Sequence, residues 1–351
     1  MIGQTLDDYL VVEKLGEGAM AVVYLGRHSS LDRQVAIKVL RADLAGLQRH
    51  RTRFEREART IESLQHPNIL GIYDFSGSES TECFIITEYI EGPTLANLLD
   101  DVGLMMTEPA ALIARQLCDA LGAAHALDII HRDVKPANVM FDAQGMVKLM
   151  DFGLARILDG NRLTKTGAVV GSPSFMSPEQ ITGDDVGPTS DVFALGVLLY
   201  RMVTGALPFR GNNPVFQLQA TMAGQFEPPD DRVPSVDQAM VQVITRCLSR
   251  EVEQRYPSTA DVAADLDRLL LSVRIDPCNP GRWAVPRYLE SFEDYEADLV
   301  EHLLEVLLER GKDELANQHQ SASIKTFARA LALDSDNREV LDLMAKLGST
   351  P

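Results

Sequence analysis

The chain changes its hydrophobic rhythm once, at Gly92, and that change restricts the folds open to it. Before this point apolar and polar residues alternate in five short runs, Leu10 to Leu15, Val22 to Gly26, Gln34 to Leu40, Ile69 to Phe75 and Phe84 to Glu88. That period belongs to strands with one buried face, so an antiparallel sheet is predicted. One helical stretch interrupts the strands from about Leu47 to Leu64, with Phe54, Ala58, Ile61 and Leu64 on its apolar face. After Gly92 the spacing lengthens to that of helices. Thr107 is expected as an N-cap, followed by Ile113, Leu117, Leu121 and Ala124 along one face. Asp191 to Met202 is apolar on almost every side, which predicts a helix at the centre of a domain, with Gly205 as its stop. A small strand-rich lobe and a larger helical lobe follow, an α+β arrangement.

With 351 residues the chain has room for an appendage beyond such a pair of lobes. From Ser272 to about Arg287 it turns irregular, with Pro277, Pro280, Gly281 and Pro286, and a separate tail comes after. The expected organisation is therefore residues 1–91 and 92–271 as the two lobes, 272–287 as a linker and 288–351 as a small all-α tail. The net charge of −18 repels phosphate backbones and anionic lipid, so neither nucleic acid nor a membrane surface is an expected partner. Cys83, Cys118, Cys247 and Cys278 form no C-x-x-C pair and read as reduced, structural thiols. The N-terminal residues lack a basic segment followed by an apolar one, and Val192 to Tyr200 falls well short of the roughly 20 residues a membrane span needs. A cytoplasmic location is expected.

Three segments carry chemistry. Leu15-Gly16-Glu17-Gly18-Ala19-Met20-Ala21-Val22-Val23 ends the first strand, and its missing Cβ atoms let backbone N–H groups approach phosphates. Taken alone such a loop is often a plain hairpin. Val35-Ala36-Ile37-Lys38 then places one ammonium among apolar neighbours on a strand, where it needs a partner, and Glu57 on the following helix can supply one. His131-Arg132-Asp133-Val134-Lys135-Pro136-Ala137-Asn138, followed by Asp151-Phe152-Gly153, is the most specific of the three. Asp133 is placed to accept or align a hydroxyl proton, and Asn138 and Asp151 offer the hard oxygen ligands that Mg²⁺ prefers. Together these segments supply the phosphate donors, metal oxygens and base that phosphoryl transfer requires.

On these motifs residues 9 to about 271 resemble the eukaryotic-like protein kinases, and the Gly-Ala-Met-Ala loop most resembles their bacterial Ser/Thr members. The resemblance implies the bilobal kinase fold and transfer of the γ-phosphoryl group of ATP to Ser or Thr hydroxyls of protein substrates. It implies Mg²⁺ as the metal, with Mn²⁺ able to substitute. Lys38, Glu57, Asp133 and Lys135 become the catalytic set, and Lys135, two positions beyond the aspartate, marks Ser/Thr rather than Tyr specificity. Leu15, Gly16, Glu17, Gly18, Ala19, Val23, Ala36 and Lys38 are expected around the nucleotide. The backbone of Glu88 and Ile90 is expected on adenine, with Thr87 controlling the rear pocket, and Asn138 and Asp151 hold the metal. Thr164 and Thr166 match positions that relatives autophosphorylate, with Arg132 as the cation that would order the phosphate. Ser177-Pro178-Glu179 matches the A-P-E motif, its glutamate pairing with Arg255, and Asp191 matches the aspartate that braces the catalytic-loop backbone. The third glycine of the loop is replaced by Ala21, which crowds it.

In the tail, Gly311, Phe327, Ala330 and Leu331 to Asn337 resemble the spacing of one tetratricopeptide helix pair, with Ser323 at the usual small residue and Ser335 at the usual proline. A lone repeat cannot bury its own face, so the tail is expected to pack on something: a protein partner, a second copy in a homodimer, or the large lobe itself. An inactive nucleotide-binding scaffold acting through this tail is the alternative from another class. The presence of every catalytic group speaks against it.

Overall fold

The computed structural model describes residues 1–18, 21–41, 51, 52, 54, 55, 58, 59, 62–76, 82–152 and 173–348. Strands β1 (Thr5–Leu6), β2 (Tyr9–Glu17), β3 (Ala21–His28), β4 (Gln34–Leu40), β5 (Ile72–Phe75) and β6 (Phe84–Glu88) form one antiparallel sheet in the order β1-β2-β3-β4-β6-β5. Alternation sends Val35, Ile37, Phe84 and Ile86 to one face with Val11, while Leu40 and Ile85 go to the other. That second face is closed by the helix whose described residues lie between 51 and 62, through Phe54 and Ala58. Each run of the period-two pattern thus becomes a strand because both of its faces, or the inward one, find cover.

The second lobe opens with α1 (Leu95–Val102), capped by Thr94, and α2 (Thr107–His125). The cap of α2 differs from expectation. Met106 occupies the N-cap position without a side-chain bond, and Thr107 is the first helical residue, its hydroxyl accepting the Asp237 amide at 3.2 Å. A tertiary neighbour has taken the oxygen that local capping would use. A short hairpin, β7 (Val139–Phe141) and β8 (Val147–Leu149), follows, then α3 (Pro178–Thr182) and α4 (Pro188–Thr204). From Ser190 to Tyr200 every residue of α4 is buried, and Gly205 ends the helix at φ 69°. Helices α5 (Pro214–Ala223), α6 (Pro229–Arg232), α7 (Gln238–Cys247) and α8 (Thr259–Ser272) surround it.

Beyond Ser272 a 3₁₀ turn at Gly281–Trp283 leads into α9 (Val285–Glu290), α10 (Phe292–Ala316), α11 (Gln320–Leu333) and α12 (Arg338–Gly348). Trp283, Val285, Tyr288, Tyr295, Leu299, Leu303 and Phe327 are buried in the same apolar cluster as α2, α4, α7 and α8. Arg329 on α11 reaches back into the large lobe, with Nη2 2.6 Å from Glu108 Oε1, Nη1 2.7 Å from Asp237 Oδ2 and Nε 3.1 Å from the Ser235 carbonyl. The tail therefore packs on the lobe that precedes it. Cys83, Cys118 and Cys247 are buried free thiols, and Cys278 is exposed. Among the described residues no helix is long and apolar enough to cross a membrane.

Candidate active site

A cleft of about 440 Å³ runs between the sheet and the helical lobe. Leu15, Val23 and Ala36 roof it, Met140 and Leu149 floor it, and Thr87 to Ile90 close its back. Lys38 and Asp151 line it as well, paired with each other. The pleat explains the floor: Val139 and Phe141 of β7 point into the core, so the intervening Met140 faces the cleft. A larger groove of about 810 Å³ lies between α7, α8 and the tail, but it contains none of the three chemical motifs and its charges are largely paired with one another, as in Arg329–Asp237 and Arg310–Glu314. Size does not mark the site here; chemistry does.

Beside the cleft the loop after α2 is held by its backbone. Asp191, buried at the start of α4, accepts the His131 amide on Oδ2 and the Arg132 amide on Oδ1, both at 2.8 Å, and His125 Nε2 lies 2.8 Å from Oδ2. Arg132 takes φ 67°, a left-handed conformation costly for a residue with a Cβ, which the two Asp191 bonds hold in place. Burial holds His131 neutral, below the ordinary imidazole range. Its Nδ1 accepts the Asp133 amide at 3.2 Å, so Nε2 carries the proton toward the Met150 carbonyl at 2.8 Å. One imidazole thus ties the segment before Asp133 to the segment before Asp151.

Three polar side chains meet on this loop and two more pair beside it. Lys135 Nζ is 2.6 Å from Asp133 Oδ2. Asn138 Nδ2 donates to the Asp133 carbonyl at 2.8 Å and to Oδ2 at 3.2 Å, which fixes the amide so that its oxygen, not its nitrogen, is the atom offered outward. Asp151, at φ 53°, takes Lys38 Nζ on Oδ1 at 2.8 Å. The Lys38 ammonium holds its carboxyl below the usual range, against the opposing effect of burial.

Residues 9–265 match the family described as protein kinase domain. This chain belongs to that family. The kinase chain is 40% identical over 267 residues to serine/threonine-protein kinase PknB of Mycobacterium leprae, covering 75% of itself and 43% of that protein. It is 37% identical over 267 residues to serine/threonine-protein kinase PrkC of Bacillus subtilis, covering 76% of itself and 41% of the relative. It thus spans less than half the length of the curated relatives it matches. The crystal structure of the Mycobacterium tuberculosis PknI kinase domain superposes with a TM-score of 0.60 at 26% identity, covering 76% of this chain and 98% of that one.

Of the residues predicted around the nucleotide, Leu15, Gly16, Val23, Ala36, Lys38, Glu88, Ile90 and Asp151 line the cleft of this kinase chain. Glu17 turns its carboxylate instead toward Lys14 at 2.6 Å and Arg41 at 2.8 Å. Gly18 closes the turn, its amide on the Ala21 carbonyl at 2.8 Å. Ala19, Glu57, Thr164 and Thr166 lie outside the described residues, and with Glu57 the expected Lys38 pairing. The expected pair of Glu179 and Arg255 is formed, with Nη1–Oε1 2.8 Å and Nη2–Oε2 2.9 Å.

Sequence reasoning overlooked Lys148. Its Nζ stands 3.1 and 3.2 Å from the Glu88 carboxylate, which also takes the Gly71 amide at 2.7 Å. The signal was the lone charge in Val147-Lys148-Leu149, a strand whose neighbours are fully buried.

Proposed function

We propose that the chain is an ATP-dependent protein kinase acting on Ser and Thr hydroxyls. The observation that carries this reading is that Asp133, Lys135 and Asn138 are bonded together on the loop whose Ala137 lines the cleft, and that the Lys38–Asp151 pair lines the same cleft. In this reading adenine lies under Leu15, Val23 and Ala36, against the backbone of Glu88 and Ile90. Lys38 holds the inner phosphates, and Lys135 meets the phosphate being transferred. Asp133 accepts the proton of the attacking hydroxyl. The Asn138 amide oxygen and the Asp151 carboxylate suit Mg²⁺, which takes few protein oxygens and completes its shell with phosphate and water. When bound, that ion would neutralise charge on the phosphates. Lys135 beside Asp133 supports Ser/Thr rather than Tyr acceptors, as do the names of the relatives.

Lys38→Met and Asp151→Asn should each abolish transfer of labelled phosphate to a Ser/Thr peptide while circular dichroism stays unchanged. Near-normal turnover by either would remove the assignment of these residues, whereas no transfer by the wild-type chain would favour the scaffold reading. We place regulation on Thr164 and Thr166, with Arg132 as the cation for their phosphates. Mass spectrometry of active enzyme should find both threonines modified, and an active preparation bare at both would exclude the switch. The tetratricopeptide likeness of the tail is supported by Ser323, whose hydroxyl donates to the Gly311 carbonyl at 2.9 Å where α10 and α11 meet.

A further inference from the structure

Two elements lead into the catalytic loop and its metal-side neighbour. Helix α2 ends at His125, bonded to the same Asp191 that holds His131 and Arg132. The hairpin β7–β8 begins directly after Asn138 and ends two residues before Asp151. Both elements meet the tail at their far ends. At the start of α2, Glu108 is fully buried and takes Arg329 of α11, and the Met106 amide lies against the Glu296 carboxylate of α10. At the hairpin turn, Gly145 sits at φ 70° so close to Pro286 of α9 that a Cβ there would stand 2.7 Å from the proline Cγ. Among the described residues the turn's hydrogen bonds are internal, with Asp142 Oδ1 taking the Gln144 and Met146 amides at 2.9 and 2.8 Å.

We propose that the tail is a built-in positioning clamp for the catalytic loop, with Arg329 and Pro286 as its two points of grip. The inference rests on the kinase reading of the cleft. A three-residue hairpin whose inner strand residues Val139, Phe141, Val147 and Leu149 are fully buried cannot flex within itself, so a shift at its turn is carried to Asn138 and Asp151. A long helix behaves likewise: a shift at Glu108 moves His125. Displacements of about 1 Å at reacting groups can cost up to a hundredfold in rate. Neither Arg329 nor Pro286 lines the cleft, so both act through the groups they hold.

The test is kinetic and uses the full chain. Pro286→Ala keeps the start of α9 but removes the ring atoms over Gly145. Arg329→Lys keeps one cation between Glu108 and Asp237 but cannot reach both in the same fork. Each is assayed well below its own Tm, beside Leu303→Ala, a tail-core variant that leaves both grip residues in place. We expect kcat to fall about tenfold in Pro286→Ala and Arg329→Lys, the Mg²⁺ midpoint to rise about threefold, and KM for ATP to stay within about twofold. Leu303→Ala should lower Tm with kcat near wild type. If the two grip variants behave as Leu303→Ala does, losing Tm without any change in kcat or Mg²⁺ midpoint, the tail is a stabilising pack and the clamp is refuted. Arg329→Met, which strands two acids and can fail to fold, is not needed for the decision. Lys38→Met and Asp151→Asn keep the two readings apart: full activity there overturns the kinase site, whereas inactivity there with unaffected grip variants overturns only the clamp.

Discussion

Arg255 places all five of its N–H donors inside the protein. Nε meets the Ser249 carbonyl, Nη1 meets Glu179 and Thr189, and Nη2 meets Glu179 and Arg250, at 2.7 to 3.1 Å. Because the guanidinium is fully buried, its removal leaves a carboxylate with no compensating charge. Arg255→Met should cost about 3–5 kcal/mol, read from the urea midpoint. Burial alone would raise the Glu179 carboxyl, but bonds from Arg255 and from Ser190 at 2.5 Å outweigh it and the net shift is downward. A carboxyl depressed on folding binds protons more readily in the unfolded chain. Its contribution is complete above the ordinary carboxylate range of about 4.3 and is lost as pH falls through the lower native value. The stability gap between wild type and Glu179→Gln should therefore be widest near neutrality and narrow in acid. A gap that widens below pH 5 would contradict the downward shift.

At the scale of elements, the lobes meet where Gly92 lies against β7, and a Cβ there would stand 2.1 Å from the Phe141 carbonyl oxygen. Backbone cannot yield as a side-chain tip does, so Gly92→Ala should destabilise by about 1–3 kcal/mol and shift the approach of the two lobes. Nucleotide affinity by calorimetry would register the second effect, and wild-type values for both would contradict the close approach. Periodicity served well here. Four of the alternating runs are strands throughout, the run from Ile69 is strand only over Ile72–Phe75, and the apolar stretch from Asp191 is the central helix. What escaped it depended on partners distant in sequence. The Thr107 hydroxyl is drawn to Asp237, and Lys148 is drawn to Glu88, neither of which a local period encodes. The left-handed backbone at Arg132 and Asp151 is equally silent in a hydrophobic pattern, and at Arg132 it is Asp191 that holds the amide through space. The residues of the site were legible because their chemistry is carried by residue type and spacing, and the Asp191 brace because the family resemblance implied it; the contacts of Thr107 and Lys148 were not.

For the molecule as a whole, the tail is joined to the large lobe by a shared interior and by Arg329 between Glu108 and Asp237. Neighbouring acids hold that guanidinium charged, above even its ordinary range, although burial opposes it. A chain stopped at Ser272 would expose the apolar surface that Tyr288, Tyr295, Leu299 and Leu303 now cover, and its Tm should fall well below that of the full chain. An unchanged Tm would show the interior to be divisible. The match to the kinase family model ends at residue 265, yet the apolar interior runs on to Val340. What is inherited in common and what melts in common thus differ in length. A calorimetric scan should record the helical lobe and its appendage as a single endotherm, and any scheme that trims this chain at the end of the family match would be cutting through the middle of a cooperative unit.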